Sequence, residues 1–237
     1  MKKNNKGAII ENQSNKWAQI AIQGPKAVRL MSRVLGDWVA EIKYFEFKPD
    51  NRHGQTWYVA RTGYTGEDGY EVFLPNAHAA VFWRELLEKG KDLGVSAIGL
   101  GARDTLRTEY KYSLYGNEIT DDTNALEAGL GWVIKFAKGD FIGKAALEKS
   151  KAEGLKNKLV GFKMVDRGIP RHGYPLFSFD NQEIGLVTSG TMSPILKEGI
   201  GIGYVRKEFA EEGKEFFVQI RANKAKVRVV KTPFVTK

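Results

Sequence analysis

The sequence predicts an α+β region followed by an all-β region. From Trp17 to about Trp132, stretches with strand alternation mix with stretches of helical spacing, whereas from Leu159 onward short apolar runs recur between turn residues. Between the two, the segment from Lys138 to Lys158 is helical around Lys144 to Lys151 and reads as a connector. A chain of 237 residues with 42% hydrophobic residues is long enough for one large domain or two modest ones, each with a real core.

In order along the chain, Ala8 to Glu11 is compatible with a short strand. Trp17 to Gln23 (WAQIAIQ) alternates like a half-buried strand, Gly24-Pro25 breaks it, and Lys26 to Leu35 has helical spacing. Thr56 to Ala60 is a strand; Tyr70 to Leu74 is another, ended by Pro75. Ala77 to Leu93 carries apolar residues at Ala80, Val81, Leu86 and Leu87, a helical stripe. The later half contributes strands at Leu159 to Met164, Glu183 to Thr188, Ile200 to Val205, Phe216 to Ile220 and Lys226 to Val230. Asp180-Asn181, Gly190 and Glu212-Gly213 separate several of them at spacings typical of sandwiches and barrels.

Composition narrows the function classes. There is no cysteine, hence no disulfide framework, thiol nucleophile or thiolate metal cluster. No apolar run approaches the roughly 20 residues of a membrane helix, and Met1-Lys2-Lys3 leads into no signal segment, so a cytoplasmic, non-membrane protein is expected. The net charge of +9 favours anionic partners in general. Its basic knots at Lys2-Lys3-Lys6, Lys149-Lys151 and Lys224-Lys226-Arg228 are mixed with acids or apolar residues and read as solvated faces, so no nucleic-acid partner is expected. His53, His78 and His172 lack metal-ligand spacing, and no metal is expected.

Three segments concentrate the chemistry. Arg61 to Glu71 (RTGYTGEDGYE) places Gly63, Gly66 and Gly69 three apart, which permits positive φ angles and close backbone approach between residues that donate, stack or accept. It is either the lining of a small-molecule site or an elaborate strand connection, and it matches neither nucleotide-binding glycine motif. Gly99 to Glu109 (GLGARDTLRTE) predicts a helix from about Ala102 with Arg103, Arg107 and Tyr110 along one face. Arg103 is then a fork for a carboxylate or polar heterocycle, or a rung of an ordinary surface ladder. Glu118, Asp121, Asp122 and Glu127 cluster without EF-hand spacing and read as a solvated turn. Thr188-Ser189-Gly190 forms no nucleophile elbow.

Taken together, RTGYTGEDGYE, GLGARDTLR, LYGN (Leu114 to Asn117), GLGWVIK (Gly129 to Lys135), FIGK (Phe141 to Lys144), Thr188-Ser189-Gly190 with Ser193-Pro194, and KTPFV (Lys231 to Val235) resemble the aminomethyltransferase, or T-protein, of the glycine cleavage system. The motifs stand in the family's order, and the resemblance covers Ala18 to Val235. It implies three domains in a ring around a folate. Of these, residues 1–16 would be a remnant of a preceding domain and 17–136 an incomplete central α+β folate-binding domain. Residues 137–158 would be the connector and 159–237 a C-terminal antiparallel β-barrel. It also implies tetrahydrofolate as the bound cofactor-substrate and, as partner, a lipoyl-carrying protein whose aminomethyl group is transferred to give methylene-tetrahydrofolate and ammonia. Matching positions make Glu71 the pterin-binding carboxylate, Tyr64 an aromatic beside it and Arg103 the folate-site arginine. The segment bearing the family's catalytic aspartate, in about the first third of its chain, has no match here, so no catalytic residue is assigned. The expected activity needs that segment; the alternative is a non-catalytic folate-binding or regulatory module.

Overall fold

The structure, a computed structural model, describes residues 7–236. Packing divides the chain into two compact units, the first ending at Gly99 and the second beginning at Leu100.

In the first unit, β1 (Trp17–Gln23), β2 (Phe47–Arg52), β3 (Gln55–Ala60) and β4 (Gly69–Pro75) form an antiparallel sheet in the order β1-β4-β3-β2. Because side chains alternate across a strand, Ile20 and Ile22, Trp57 and Val59, and Tyr70, Val72 and Leu74 share one face. That face packs with α1 (Ala27–Leu35), whose Leu30, Met31, Val34 and Leu35 are buried, and with α2 (Asn76–Lys89), which buries Phe82 and Leu86. The opposite face, carrying Trp17, Gln19, Ala21, Glu71, Phe73, Tyr58, Ala60 and Phe47, holds no buried residue among those eight.

Two expectations differ from this unit, and one strand was not expected. Ala8 to Glu11 is exposed coil, not a strand. The helix expected to Leu93 ends at Lys89: a Cβ at Gly90 would lie 2.5 Å from Val95, and Lys91–Leu93 is a separate 3₁₀ turn. Strand β2 went unanticipated because Pro49, Asp50 and Asn51 are poor strand formers; a sheet edge tolerates them. The basic knot at Lys2-Lys3-Lys6 lies outside the described residues.

The second unit begins with α3 (Leu100–Glu109), passes through turns and α4 (Lys144–Glu153), and closes a six-stranded barrel. Its strands are β5 (Asn157–Met164), β6 (Pro175–Phe177), β7 (Glu183–Met192), β8 (Gly199–Arg206), β9 (Glu215–Ile220) and β10 (Asn223–Val230), ordered β10-β5-β8-β7-β6-β9. Every pairing is antiparallel, and closure leaves no free edge. Phe162, Leu176, Val187, Val205, Phe216, Val218 and Val227 fill the interior. Packing groups α3 and the turns after it with the barrel.

Candidate functional site

The glycine loop between β3 and β4 is a built structure. Gln23 at the end of β1 donates through Nε2 to the carbonyls of Thr62 (3.0 Å) and Tyr70 (3.2 Å), and its Oε1 accepts from Thr65 Oγ1 (3.2 Å). A Cβ at Gly63 would lie 1.7 Å from Gln23 Oε1 and one at Gly69 would lie 2.5 Å from Nε2, so both glycines exist for close approach; Gly66 supplies the positive φ, +79°. Arg61 grips Asp68 with both prongs, Nε to Oδ1 at 3.1 Å and Nη2 to Oδ2 at 2.7 Å, and donates to the Ile42 carbonyl at 3.0 Å. The Asp68 hydrogen bonds raise the Arg61 guanidinium above its ordinary pKa. Tyr64 sits half-buried within this braced loop.

Glu71 stands on the outer face of β4, half-buried. Its cross-strand neighbours are Ala21 on β1 and Ala60 on β3, so the acid rises between two small side chains. Gln19 Nε2 donates to Glu71 Oε1 at 2.6 Å, leaving the carboxylate with further acceptor sites. Along this row and the rows beside it, Trp17, Phe47, Tyr58, Ala60 and Phe73 line an apolar groove of about 400 Å³. The Trp17 and Phe47 rings lie 5.8 and 6.0 Å from the Tyr58 ring. Glu71 therefore adjoins, through Ala60, a surface onto which a planar ring can lie.

Arg103 belongs to the second unit, exposed on α3. One turn later, Arg107 is buried to 1% exposure, and its partners explain why. Its guanidinium donates to Asp104 (Nε 2.8 Å, Nη2 2.6 Å), Glu118 Oε2 (2.8 Å), Ser189 Oγ (2.7 Å) and the Tyr112 carbonyl (3.2 Å). Glu118, also 1% exposed, accepts in addition from the Leu114 amide (2.9 Å) and Thr188 Oγ1 (2.7 Å). Tyr204 donates to the Glu118 carbonyl at 2.8 Å, and burial, with Glu118 and Glu127 adding to it, pushes the phenol up to about 12. A buried ion pair survives desolvation only when its remaining lone pairs and protons are satisfied, as these are.

Here the solvated-turn reading needs correction. Asp121 and Asp122 are exposed, but Glu118 is the buried counter-ion of Arg107, and Glu127 caps the entry to β5 by accepting from the Lys156 (3.0 Å) and Asn157 (2.9 Å) amides. Arg107 is likewise no rung of a surface ladder. Glu71 and Tyr64 lie in the first unit and Arg103 in the second. Sequence reasoning missed Gln19, Gln23 and the aromatic groove, although the alternation of β1 already puts Trp17, Gln19, Ala21 and Gln23 on its outer face. Among the described residues, no group of three or more His, Cys, Asp or Glu could hold a metal, and no helix is long and apolar enough to cross a membrane.

Comparison with known proteins places these features in a family. The model described as GCVT N-terminal domain matches residues 1–138, and that of the glycine cleavage T-protein C-terminal barrel domain matches residues 157–236. An aminomethyltransferase of Bdellovibrio bacteriovorus is 60% identical over 237 residues, all of this chain and 66% of that protein. One of Phocaeicola vulgatus is 50% identical over 98% of this chain and 64% of its own length. The crystal structure of glycine cleavage system aminomethyltransferase T from Bartonella henselae superposes with a TM-score of 0.83 at 33% identity, covering 92% of this chain and 60% of that one. The chain thus spans just under two thirds of the length of these relatives. A barrel that closes where one family model matches, and a glycine loop and Arg-bearing helix inside the other's range, agree with these likenesses: the chain belongs to the glycine cleavage T-protein family of aminomethyltransferases.

Proposed function

We propose that this chain recognises tetrahydrofolate and serves the transfer to it of an aminomethyl group from a lipoyl-carrying protein. When bound, the folate supplies the nitrogens that accept the one-carbon unit; ammonia and the reduced lipoyl arm are the other products. The observation that carries this reading is the Ala21–Glu71–Ala60 row. A pterin edge presents adjacent N–H donors, and a carboxylate with free lone pairs accepts them in parallel, while flanking alanines leave room for the flat ring. Gln19 holds the acid in place. In this reading Tyr64 lies against the ring and Arg103 offers its guanidinium to the folate's own carboxylates or polar ring edge. Transfer itself falls to the whole assembly, including the third of the relatives' length that this chain does not span. The +9 charge favours encounter with an acidic carrier and with a polyanionic folate tail.

Calorimetry with tetrahydrofolate tests the reading, with and without the unmatched segment of the Bdellovibrio relative supplied as a separate polypeptide. Binding that Glu71→Ala abolishes supports it, and methylene-tetrahydrofolate formed by the complemented pair establishes the enzyme. Binding without product leaves a folate-binding module. No heat in either case refutes both.

A further inference from the structure

A densely bonded, buried polar cluster around Arg107 and Glu118 ties α3 to the barrel, and the folate reading leaves it unused. We infer that the buried Arg107–Glu118 pair, locked to a bulge in β7, is a positioning device that sets the direction in which Arg103 leaves its helix. This inference rests on the reading that Arg103 contacts the folate.

Three observations, all within the second unit, carry it. First, Arg103 and Arg107 are four residues apart on one helix, so they share a face one turn apart, and fixing the rotation of α3 at Arg107 fixes it at Arg103. Second, the bonding to Arg107 uses both its flat fork and its charge: Asp104 from its own helix, Glu118 and the Tyr112 carbonyl from the following turns, and Ser189 from the barrel. Third, the register between β7 and β8 shifts between Val187 and Ser189. In a regular strand, Thr188 and Ser189 would point to opposite faces. The extra residue bends the strand so that Thr188 reaches Glu118 while Ser189 reaches Arg107. Asn117 adds a donor to Ser189 Oγ at 3.1 Å. The same helix is tied again where Thr105 meets Thr191 (3.3 Å), Ser193 donates to Glu109 (2.5 Å) and the Phe234 amide donates to the Glu109 carbonyl (2.9 Å). A buried ion pair of this kind contributes little net stability over an apolar substitute, whereas it dictates one geometry.

A double-mutant cycle on the full chain tests this, with tetrahydrofolate affinity read by calorimetry and folding by thermal unfolding. Ser189→Ala removes the two hydrogen bonds that its Oγ accepts, from Arg107 and Asn117, and is expected to weaken affinity about threefold; Arg107→Lys, which keeps the charge but not the fork, weakens it about tenfold. Both effects are expected to vanish when Arg103 is already alanine, because they act through its guanidinium. A merely structural role would weaken binding equally with and without Arg103. Equal losses in both backgrounds, or unchanged affinity in the single variants, overturn the inference. If Arg103→Ala itself leaves affinity unchanged, or the unsubstituted chain does not bind, it is the folate reading that fails, and this inference with it. Should Arg107→Lys not fold, Ser189→Ala alone decides.

Discussion

The two units spend their charged residues in opposite ways. On the sheet of the first unit, Glu71 stands half-open between alanines with Gln19 as its hydrogen-bond partner, whereas in the second unit Glu118 is sealed in and bonded at both oxygens. An acid with spare lone pairs beside a groove is available to a ligand; an acid whose lone pairs are consumed by the protein holds the protein in shape. On the proposed reading the contrast separates recognition from positioning within one family fold, and it can be broken by measurement.

Stability separates the two acids most sharply. Glu118→Ala is expected to cost about 3–5 kcal/mol in chemical denaturation, since it strands a buried guanidinium. Glu71→Gln, on the open face, is expected to change stability by less than about 0.5 kcal/mol. Comparable losses for both would erase the distinction. Next comes the loop that frames Tyr64: Gly63→Ala drives a methyl group into Gln23 and is expected to destabilise by about 1–3 kcal/mol, with part of the loss recovered when Gln23 is also alanine. No recovery would mean that Gln23 is not what requires the glycine.

A third comparison uses pH. The folded-state phenol of Tyr204 titrates near 12 against about 10 when unfolded, so the unfolded chain binds fewer protons in that window and stability falls as pH rises from 10 to 12. Tyr204→Phe removes this term, and its stability is expected to decline less steeply over the same range. An unchanged slope would show that the phenol is not buried against Glu118. Smallest is the salt effect: raising ionic strength is expected to slow association with an acidic lipoyl carrier while changing tetrahydrofolate affinity less. Carrier association insensitive to salt would remove the electrostatic part of the proposal.

What the sequence disclosed follows physical range. Alternation marks β1 and β4, and helical spacing marks α1, because those signals lie within a few residues of each other. The glycine loop was legible as unusual, yet its cause was not, since Gln23 is 40 residues from Gly63 and only the fold brings them together. Arg103 and Arg107 looked alike on a helical face; one is exposed and the other buried because Ser189, 82 residues further on, waits beneath only the second. Glu118 misled for the same reason: beside Asp121 and Asp122 it looked like one more turn acid. The short β6 carries too little pattern in Pro175–Phe177 to be seen.

The central claim concerns the acid of the open sheet. Titrating tetrahydrofolate into the chain and into Glu71→Ala by calorimetry addresses it directly, with thermal unfolding of both proteins as the control for general damage. The account predicts measurable binding by the unsubstituted chain and at least about a tenfold loss in Glu71→Ala at unchanged unfolding temperature. Equal affinity for the two proteins would contradict it.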